Sequence, residues 1–235
     1  MKERGLLFTG PMVRALQAGR KTQTRRVVKW IPGARGEGRL VRLPRQGSCV
    51  YLDFDGVPGL GWRPVGSGPT EPWPAKRIGE ACPYGGPGGR LWVRETWAGD
   101  DMCGVVYRAD HPDADIRNGD LDDGEQQLRR WRPSIFMPRW ASRITLEITE
   151  VRVQRVQDIT EEDVKAEGVR VVGGCAFGKM LGVDIGGDWL GMQEGDDPSA
   201  YPKAFASLWD TINAKRGYPW EGNPWVWAIT FKVIP

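Results

Sequence analysis

GRKTQTRR (Gly19–Arg26) packs four cations and two hydroxyls into eight residues, and no apolar residue interrupts them. A helix is predicted just before it, over residues 11–18, because Pro11 suits a first helical position. Val13 and Leu16 would lie on one face of that helix, and the glycine that opens the basic run suits the left-handed residue that ends it. We therefore predict an anchored basic loop, not a core strand, and such loops commonly carry binding or catalytic side chains. A basic surface loop without a function fits the same residues.

Lys21 and Thr24 are the candidate reactive residues of this loop. They are three residues apart, so both side chains can point into one pocket. A lysine with an ordinary pKa near ~10.4 is a poor base at neutral pH. The neighbouring cations Arg20, Arg25 and Arg26, together with burial, would lower the pKa of Lys21 and make it a usable general base. The Thr24 hydroxyl beside it would then be a nucleophile.

The group still missing from such a site is a carboxylate, and Glu167 is the candidate. Thr160, with Asp163 three residues later, is typical of a capping box, so a short helix is predicted from there to Gly168. Glu167 ends this helix, where the helix dipole disfavours a negative charge by about 0.3–1 kcal/mol. Helix stability therefore does not explain the residue. An exposed terminal glutamate without a function fits the same position.

The second half of the chain shows strand and helix patterns. Apolar residues alternate from Ile144 to Val153 with a change of parity, which predicts a β-bulge near Thr149 and Glu150. An apolar stripe predicts a helix from Lys203 that ends at Gly217. Further strands are predicted at Leu91–Trp97, Val105–Arg108 and Trp225–Val233.

Two Gly/Pro-rich segments and one acidic segment separate these patterns. Residues 31–90 contain fourteen glycines and nine prolines, with alternating runs at Arg39–Leu43 and Cys49–Phe54 that predict a hairpin. Asp110–Glu125 is acidic, and residues 171–200 are rich in glycine. We interpret residues 1–235 as a single domain of the α+β class with insertions at about 31–86, 109–130 and 171–200.

Five stretches, in this order, resemble ASCH domains, which are small mixed β-barrels of the PUA-like class. The overall likeness is to the larger, phage-type members, and it implies a PUA-like barrel with a few short helices and Gly/Pro-rich insertions. The matched stretches are AGRKTQTRR (Ala18–Arg26), PGGRLWVRETW (Pro87–Trp97), SIFMPRWASRI (Ser134–Ile144), QDITEEDVKAEGV (Gln157–Val169) and NPWVWAITFKVI (Asn223–Ile234).

The resemblance also implies an activity. Small bacterial ASCH proteins include an amidohydrolase that removes the acetyl group from N4-acetylcytidine, and its catalytic lysine, threonine and glutamate match Lys21, Thr24 and Glu167. The implied reaction is hydrolysis of N4-acylated cytosine nucleosides, with Thr24 or water as the nucleophile. Two departures stand against it: Gly88-Gly89 replaces the family's usual Gly-Asp, and the longer insertions can enlarge, cover or block the pocket. An RNA or modified-base binding module and a ribonuclease are the alternatives.

Composition narrows the partners. The net charge is +3, too mild for a nucleic-acid coat protein, although residues 1–30 hold eight Lys/Arg against Glu3 and would attract phosphate or a nucleotide. Four dispersed cysteines and the lone His111 fit neither a zinc site nor a Ser-His-Asp hydrolase, so no metal or organic cofactor is implied. No apolar run is long enough for a membrane span, and no signal peptide is recognisable, so a cytoplasmic location is expected.

Twelve tryptophans offer candidate stacking surfaces for a base. Packing within a β-rich core accounts for most of them. The three nearest to the matched motifs, and with Arg20, Arg25 and Arg26 our predicted substrate-binding residues, are Trp92, Trp97 and Trp140. The oligomeric state stays open.

Overall fold

The computed structural model describes residues 3–28, 39–42, 49–53, 61–64, 82–100, 104–112, 131–172, 180–185, 188–193 and 200–234. These residues form an α+β structure, which confirms the predicted class. The α-helices are α1 (Gly10–Gln17), α2 (Glu161–Ala166) and α3 (Ala200–Asn213). The strands are β1 (Arg4–Leu7), β2 (Gln23–Val27), β3 (Arg39–Arg42), β4 (Cys49–Asp53), β5 (Gly61–Pro64), β6 (Arg90–Arg94), β7 (Trp97–Asp100), β8 (Gly104–Tyr107), β9 (Thr145–Arg155), β10 (Arg170–Val172), β11 (Met180–Ile185), β12 (Asp188–Gln193) and β13 (Trp225–Ile234).

A five-stranded sheet in the order β1-β6-β9-β13-β2 is the centre of the fold. β1 runs parallel to β6, and every other pair in this sheet is antiparallel. The sheet curls until its two edge strands approach each other, since Arg26 Nη2 on β2 donates to the Leu7 carbonyl oxygen on β1 at 2.6 Å. Among the described strands no backbone ladder joins β1 to β2, so this part of the chain forms a curved, open sheet and not a closed barrel.

Apolar side chains cover both faces of this sheet. The concave face packs Leu146 and Ile148 of β9 and Ile229 of β13 against Val13 and Leu16 of α1. The other face carries a second cluster, in which α2 and α3 pack on the end of β13. Its members include Val164, Phe205, Leu208, Trp209 and Val226. Helices on both faces leave β2, an edge strand, between the two clusters.

The predicted β-bulge is confirmed. In the ladder between β9 and β13, Thr230 pairs with Glu150, whereas the next residue, Phe231, pairs with Ile148. Thr149 is therefore the extra residue, and it changes which face the following side chains of β9 point to. The parity change along the sequence has this physical cause.

The loop prediction for the basic run is wrong in its second half. Gln23–Val27 is the strand β2, which pairs antiparallel with β13 from Gln23 opposite Thr230 to Val27 opposite Val226. A polar strand is tolerated here because carboxylates of α2 and the residue after it compensate its buried cations. The predicted strand over Leu91–Trp97 is likewise two strands, β6 and β7, interrupted at Glu95 and Thr96.

Three smaller sheets complete the described strands. β3 and β4 form the hairpin predicted within the first Gly/Pro-rich segment, and β5 extends it. β10, β11 and β12 form a second antiparallel sheet, which the glycine content of residues 171–200 had hidden. β7 pairs with β8. Apart from residues 82–86 and 109–112, the remainder of the predicted insertions lies outside the described residues. The single-domain organisation stays a prediction.

Candidate active site

Two helix C-termini meet where the candidate residues lie. α1 ends at Gly19, whose φ of +69° is left-handed as predicted, with the Arg20 N–H donating back to the Ala15 carbonyl oxygen at 2.9 Å. α2 ends in the same way at Gly168, with φ of +88°. A Cβ on Gly168 would lie 3.1 Å from the Cβ atoms of both Ala15 and Lys21, so glycine permits this close approach. The two turns thus hold Lys21 against the end of α2.

Lys21 and Glu167 form a buried ion pair across 146 positions of the chain. Lys21 Nζ lies 2.7 Å from Glu167 Oε2, and the residues are 1% and 6% exposed. The ammonium also donates to the carbonyl oxygens of Gln23, at 2.8 Å, and of Glu167, at 2.9 Å. An ammonium has three N–H donors, so all of them are used. Lys21 therefore caps the C-terminus of α2 as well as neutralising its last carboxylate.

Burial lowers the pKa of Lys21 from its ordinary value, since desolvation disfavours the ammonium. Glu167 opposes this shift by stabilising the charged form, whereas the cations Arg26 and Arg25 lower the pKa of Lys21 further. The direction is the one expected from the sequence. Burial is the larger cause, ahead of the neighbouring cations.

Alternation along β2 separates the other predicted residues into two sets. Gln23 and Arg25 face α2, where Arg25 Nη1 donates to Glu167 Oε1 at 3.2 Å and Arg25 Nη2 to Asp163 Oδ2 at 2.6 Å. Thr24 and Arg26 face the concave side of the sheet, since successive strand residues point to opposite faces. Arg25 is thus held by acidic groups of the protein itself.

Thr24 is buried on the concave side, directly opposite Ile229 of β13. Because the three Lys21 N–H donors go to other acceptors, Thr24 accepts none of them in this arrangement. The structure therefore brings Lys21 and Glu167 into direct contact and leaves Thr24 on the neighbouring strand position without a bond to that ammonium.

Phe8 is the aromatic residue beside the ion pair, and the sequence reasoning missed it. Lys21 Nζ lies 6.0 Å from the centre of the Phe8 ring, and the Arg26 guanidinium lies 5.4 Å from it. Burial lowers the pKa of Arg26, and the proximity of Tyr84 and Glu167 partly offsets this shift. Phe8 lies one residue before Thr9, the cap of α1, and its contact with Lys21 and Arg26 depends on the curl of the sheet, for which the local sequence gives no signal.

The three predicted tryptophans occupy other environments. Trp92 stacks with Arg94 on β6, at 5.2 Å from the guanidinium carbon. Trp97 is buried with Met137 and Ala141 in a small separate cluster. Trp140 is 73% exposed and meets Trp97 edge to face, with 5.8 Å between ring centres. These contacts do not include Lys21 or Glu167.

Some buried arginine nitrogens of the basic run Gly19–Arg26 lack partners. Within the described residues, Arg20 Nη1 and Arg26 Nε are buried without a hydrogen-bond acceptor. No group of three or more His, Cys, Asp or Glu side chains in the described part of the chain is arranged to hold a metal ion. No helix among those residues is long and apolar enough to cross a membrane. The site thus combines the cations of the basic run with two ion-paired carboxylates, Glu167 and Asp163.

Comparisons with family models, with curated proteins and with solved structures find no match.

Proposed function

We propose that this protein is an amidohydrolase that removes the acyl group from N4-acylated cytosine nucleosides on a PUA-like, ASCH-type fold. The observation that supports it most is the buried contact of 2.7 Å between Lys21 Nζ and Glu167 Oε2. Lys21 and Glu167 are 146 positions apart in the chain, and the sequence predicts both as catalytic residues. Buried lysines with lowered pKa values are suited to general-base chemistry.

The curved mixed sheet supports the fold part of the proposal. Its edge strands β1 and β2 approach through Arg26 and Leu7, and α1 connects them, as expected for a barrel-like sheet with its site at the seam. The aromatic ring of Phe8 lies at this seam but is only 3% exposed, so stacking of the cytosine ring on it requires the side chains around the ring to move.

The reaction begins with a proton transfer from Lys21 Nζ to Glu167 Oε2, which replaces a buried ion pair with a neutral pair. Neutral Lys21 then takes the proton of the Thr24 hydroxyl as its oxygen attacks the exocyclic amide carbonyl. The C–N bond breaks, Glu167 protonates the departing N4 amine, and the acyl group stays on Thr24 as an ester. Water hydrolyses this ester, releases the carboxylic acid and restores Thr24.

Water is an alternative first nucleophile. In that route Lys21 takes a proton from water, which attacks the amide carbonyl directly, and Glu167 again protonates the amine. Because all three Lys21 N–H groups are donated to other acceptors, both routes need Lys21 Nζ to rotate before it can accept a proton. Thr24→Ala separates them, since it abolishes the first route and preserves the second.

The test is incubation with N4-acetylcytidine and detection of cytidine by chromatography. We expect turnover by the wild-type protein and none by Lys21→Arg, because a guanidinium stays protonated at any working pH. Lys165→Arg is the matched control, since Lys165 is an exposed lysine of α2 whose ammonium pairs with Glu161 one turn away and lies over the Tyr201 ring. Absence of turnover by the wild type, or an active Lys21→Arg variant, would refute the proposal.

The second candidate is a module that binds RNA or a modified base, or a ribonuclease using the same cations. It is favoured by Arg20 Nη1 and Arg26 Nε, which are buried without acceptors among the described residues and suit phosphate oxygens. Binding of single-stranded RNA that weakens steeply with salt, without hydrolysis of the free nucleoside, would support this alternative.

A further inference from the structure

The carboxylate of Glu167 has a second cation besides Lys21. Arg25 Nη1 donates to Glu167 Oε1 at 3.2 Å, and Arg25 Nη2 donates to Asp163 Oδ2 at 2.6 Å. Asp163 accepts in turn from Arg152 Nη2 at 3.0 Å, on the solvent side. Charges therefore alternate from Lys21, through Glu167, Arg25 and Asp163, to Arg152. Each oxygen of Glu167 has a different cationic partner.

The guanidinium of Arg25 cannot turn away without breaking several bonds. Its side chain is 1% exposed. Gln23 Oε1 accepts from Arg25 Nη1 at 2.5 Å, while Gln23 Nε2 donates to Asp163 Oδ1 at 3.1 Å. Asp163 is itself fixed, because its backbone N–H donates to the Thr160 hydroxyl that caps α2. A planar guanidinium that bridges two carboxylates in this way is strongly oriented.

We propose that Asp163 and Arg25 are positioning residues, which hold Glu167 Oε1 so that Glu167 Oε2 stays on Lys21 Nζ. The inference rests on the proposed amidohydrolase function. Asp163 fixes the orientation of the Arg25 guanidinium, and Arg25 fixes the orientation of the Glu167 carboxylate, which exchanges a proton with Lys21. Neither residue needs to touch the substrate, because both lie on the α2 side of β2.

Electrostatics gives the arrangement a measurable consequence. The charged groups that act on Lys21 are Glu167 after α2 and the guanidinium groups of Arg25 and Arg26 on β2. Glu167 raises the pKa of Lys21 more than Arg25 lowers it. When Arg25→Gln lets Glu167 move away from Lys21 Nζ, as the inference requires, the pKa of Lys21 therefore falls. A lower pKa moves the acid limb of the pH–rate profile to lower pH.

The experiment compares Arg25→Gln, Asp163→Asn and the control Arg139→Gln, with kcat and KM for N4-acetylcytidine measured against pH. We expect kcat to fall on the order of 10²-fold in the first two variants, because a small misplacement of a catalytic group has this effect. KM should stay near the wild-type value, and Arg25→Gln should also shift the acid limb to lower pH. Arg139→Gln should leave kcat and the profile unchanged, since this exposed arginine donates to Glu3 and Thr145, outside the ion network.

A second readout does not depend on turnover. Titration of the Lys21 side chain by NMR, with lysine labelled at Cε, gives its protonation midpoint in the wild type and in Arg25→Gln. A lower midpoint in the variant supports the inference even where the wild type proves inactive, a result that would refute the amidohydrolase function alone. Should Arg25→Gln fail to fold, the kcat of a folded Asp163→Asn variant is the deciding measurement. Unchanged kcat in Asp163→Asn, or an unchanged or higher Lys21 midpoint in folded Arg25→Gln, would overturn the inference.

Discussion

Replacing Glu167 with glutamine should destabilise the protein strongly, because it leaves the buried ammonium of Lys21 without its counter-ion. Glutamine keeps the size of the side chain and one carbonyl oxygen, so packing changes little. The lost group is the negative charge that lies 2.7 Å from Lys21 Nζ. The variant thus isolates the charge from the shape of the side chain.

The magnitude follows from the burial of the pair. Removing one partner of a buried ion pair costs about 3–5 kcal/mol. Lys21 retains two carbonyl acceptors, at 2.8 and 2.9 Å. We therefore expect the lower end of that range for Glu167→Gln, about 3 kcal/mol. Lys21→Met should cost about 2–3 kcal/mol, since Glu167 keeps its bond from Arg25. The double variant leaves no isolated charge at this position, so its loss should fall short of the sum by about 2 kcal/mol.

Urea unfolding of the wild type, the two single variants and the double variant at pH 7 measures this coupling. The m-values should agree among the four proteins, so that differences in midpoint report stability. The matched control is the exposed pair Lys165 and Glu161, 2.6 Å apart on α2, which should show no appreciable coupling because water screens it. Additive effects of Lys21→Met and Glu167→Gln, or single losses below about 1 kcal/mol, would refute the reasoning that a buried charge pair lies here.

Two further predictions concern the same residues. The pKa of Lys21 is lower in the folded protein than in the unfolded chain, where it is near ~10.4. Between these two pKa values the unfolded chain binds more protons than the folded protein, so the free energy of unfolding rises with pH. The difference in unfolding free energy between wild type and Lys21→Met should therefore shift in favour of the wild type as pH is raised toward the pKa of the unfolded chain; a constant difference would contradict the lowered pKa. Gly168→Ala should cost about 1–3 kcal/mol in thermal or urea unfolding, since alanine is strained at positive φ and its Cβ would press on Ala15 and Lys21. Gly19→Ala, at φ of +69° with open space around its Cβ, is the control and should cost less; equal losses would show that the close contact is unimportant.

Local features of the fold could be predicted from the sequence because short stretches determine them. The bounds of α1 lie within one residue of the prediction, and Gly19 adopts the left-handed conformation expected of it. Thr160 accepts a hydrogen bond from the Asp163 N–H at 3.2 Å, as its capping position requires. The bulge at Thr149 follows from the parity of the apolar residues. Each of these depends on neighbours in the chain alone.

The ion network could be predicted only in part, because its partners are distant in sequence. Asp163 was recognised for its backbone, as a residue of the helix cap, whereas its side chain binds Arg25 across 138 positions. Interpreting the basic run as a loop also concealed the alternation of β2, which sends Arg25 toward α2 and Arg26 to the concave side. A strand of polar residues carries no apolar periodicity, so only its partners reveal it.

The position of the Phe8 ring beside the Lys21–Glu167 ion pair could not be predicted from the sequence, for a different reason. Trp92, Trp97 and Trp140 were chosen for their proximity to sequence motifs, but Phe8 is the residue whose ring faces Lys21 and Arg26. It reaches them because the sheet curls and brings the end of β1 beside β2, which lies at the opposite edge of the sheet order. Closure of that kind is a property of the whole sheet and leaves no local signature.

The three acceptors of Lys21 determine how the proposed base would have to work. A lysine whose N–H groups are all donated has no lone pair to offer, so one proton must leave before it can act. Of the three acceptors, the carbonyl oxygens of Gln23 and Glu167 are too weakly basic, and only Glu167 Oε2 can take that proton. The resulting lone pair points at Glu167, and Nζ must rotate to present it to Thr24 or water. Rotation breaks the hydrogen bonds from Lys21 Nζ to the carbonyl oxygens of Gln23 and Glu167. The Glu167 side chain must stay in place while Nζ rotates, and the hydrogen bond from Arg25 to Glu167 Oε1 holds it there.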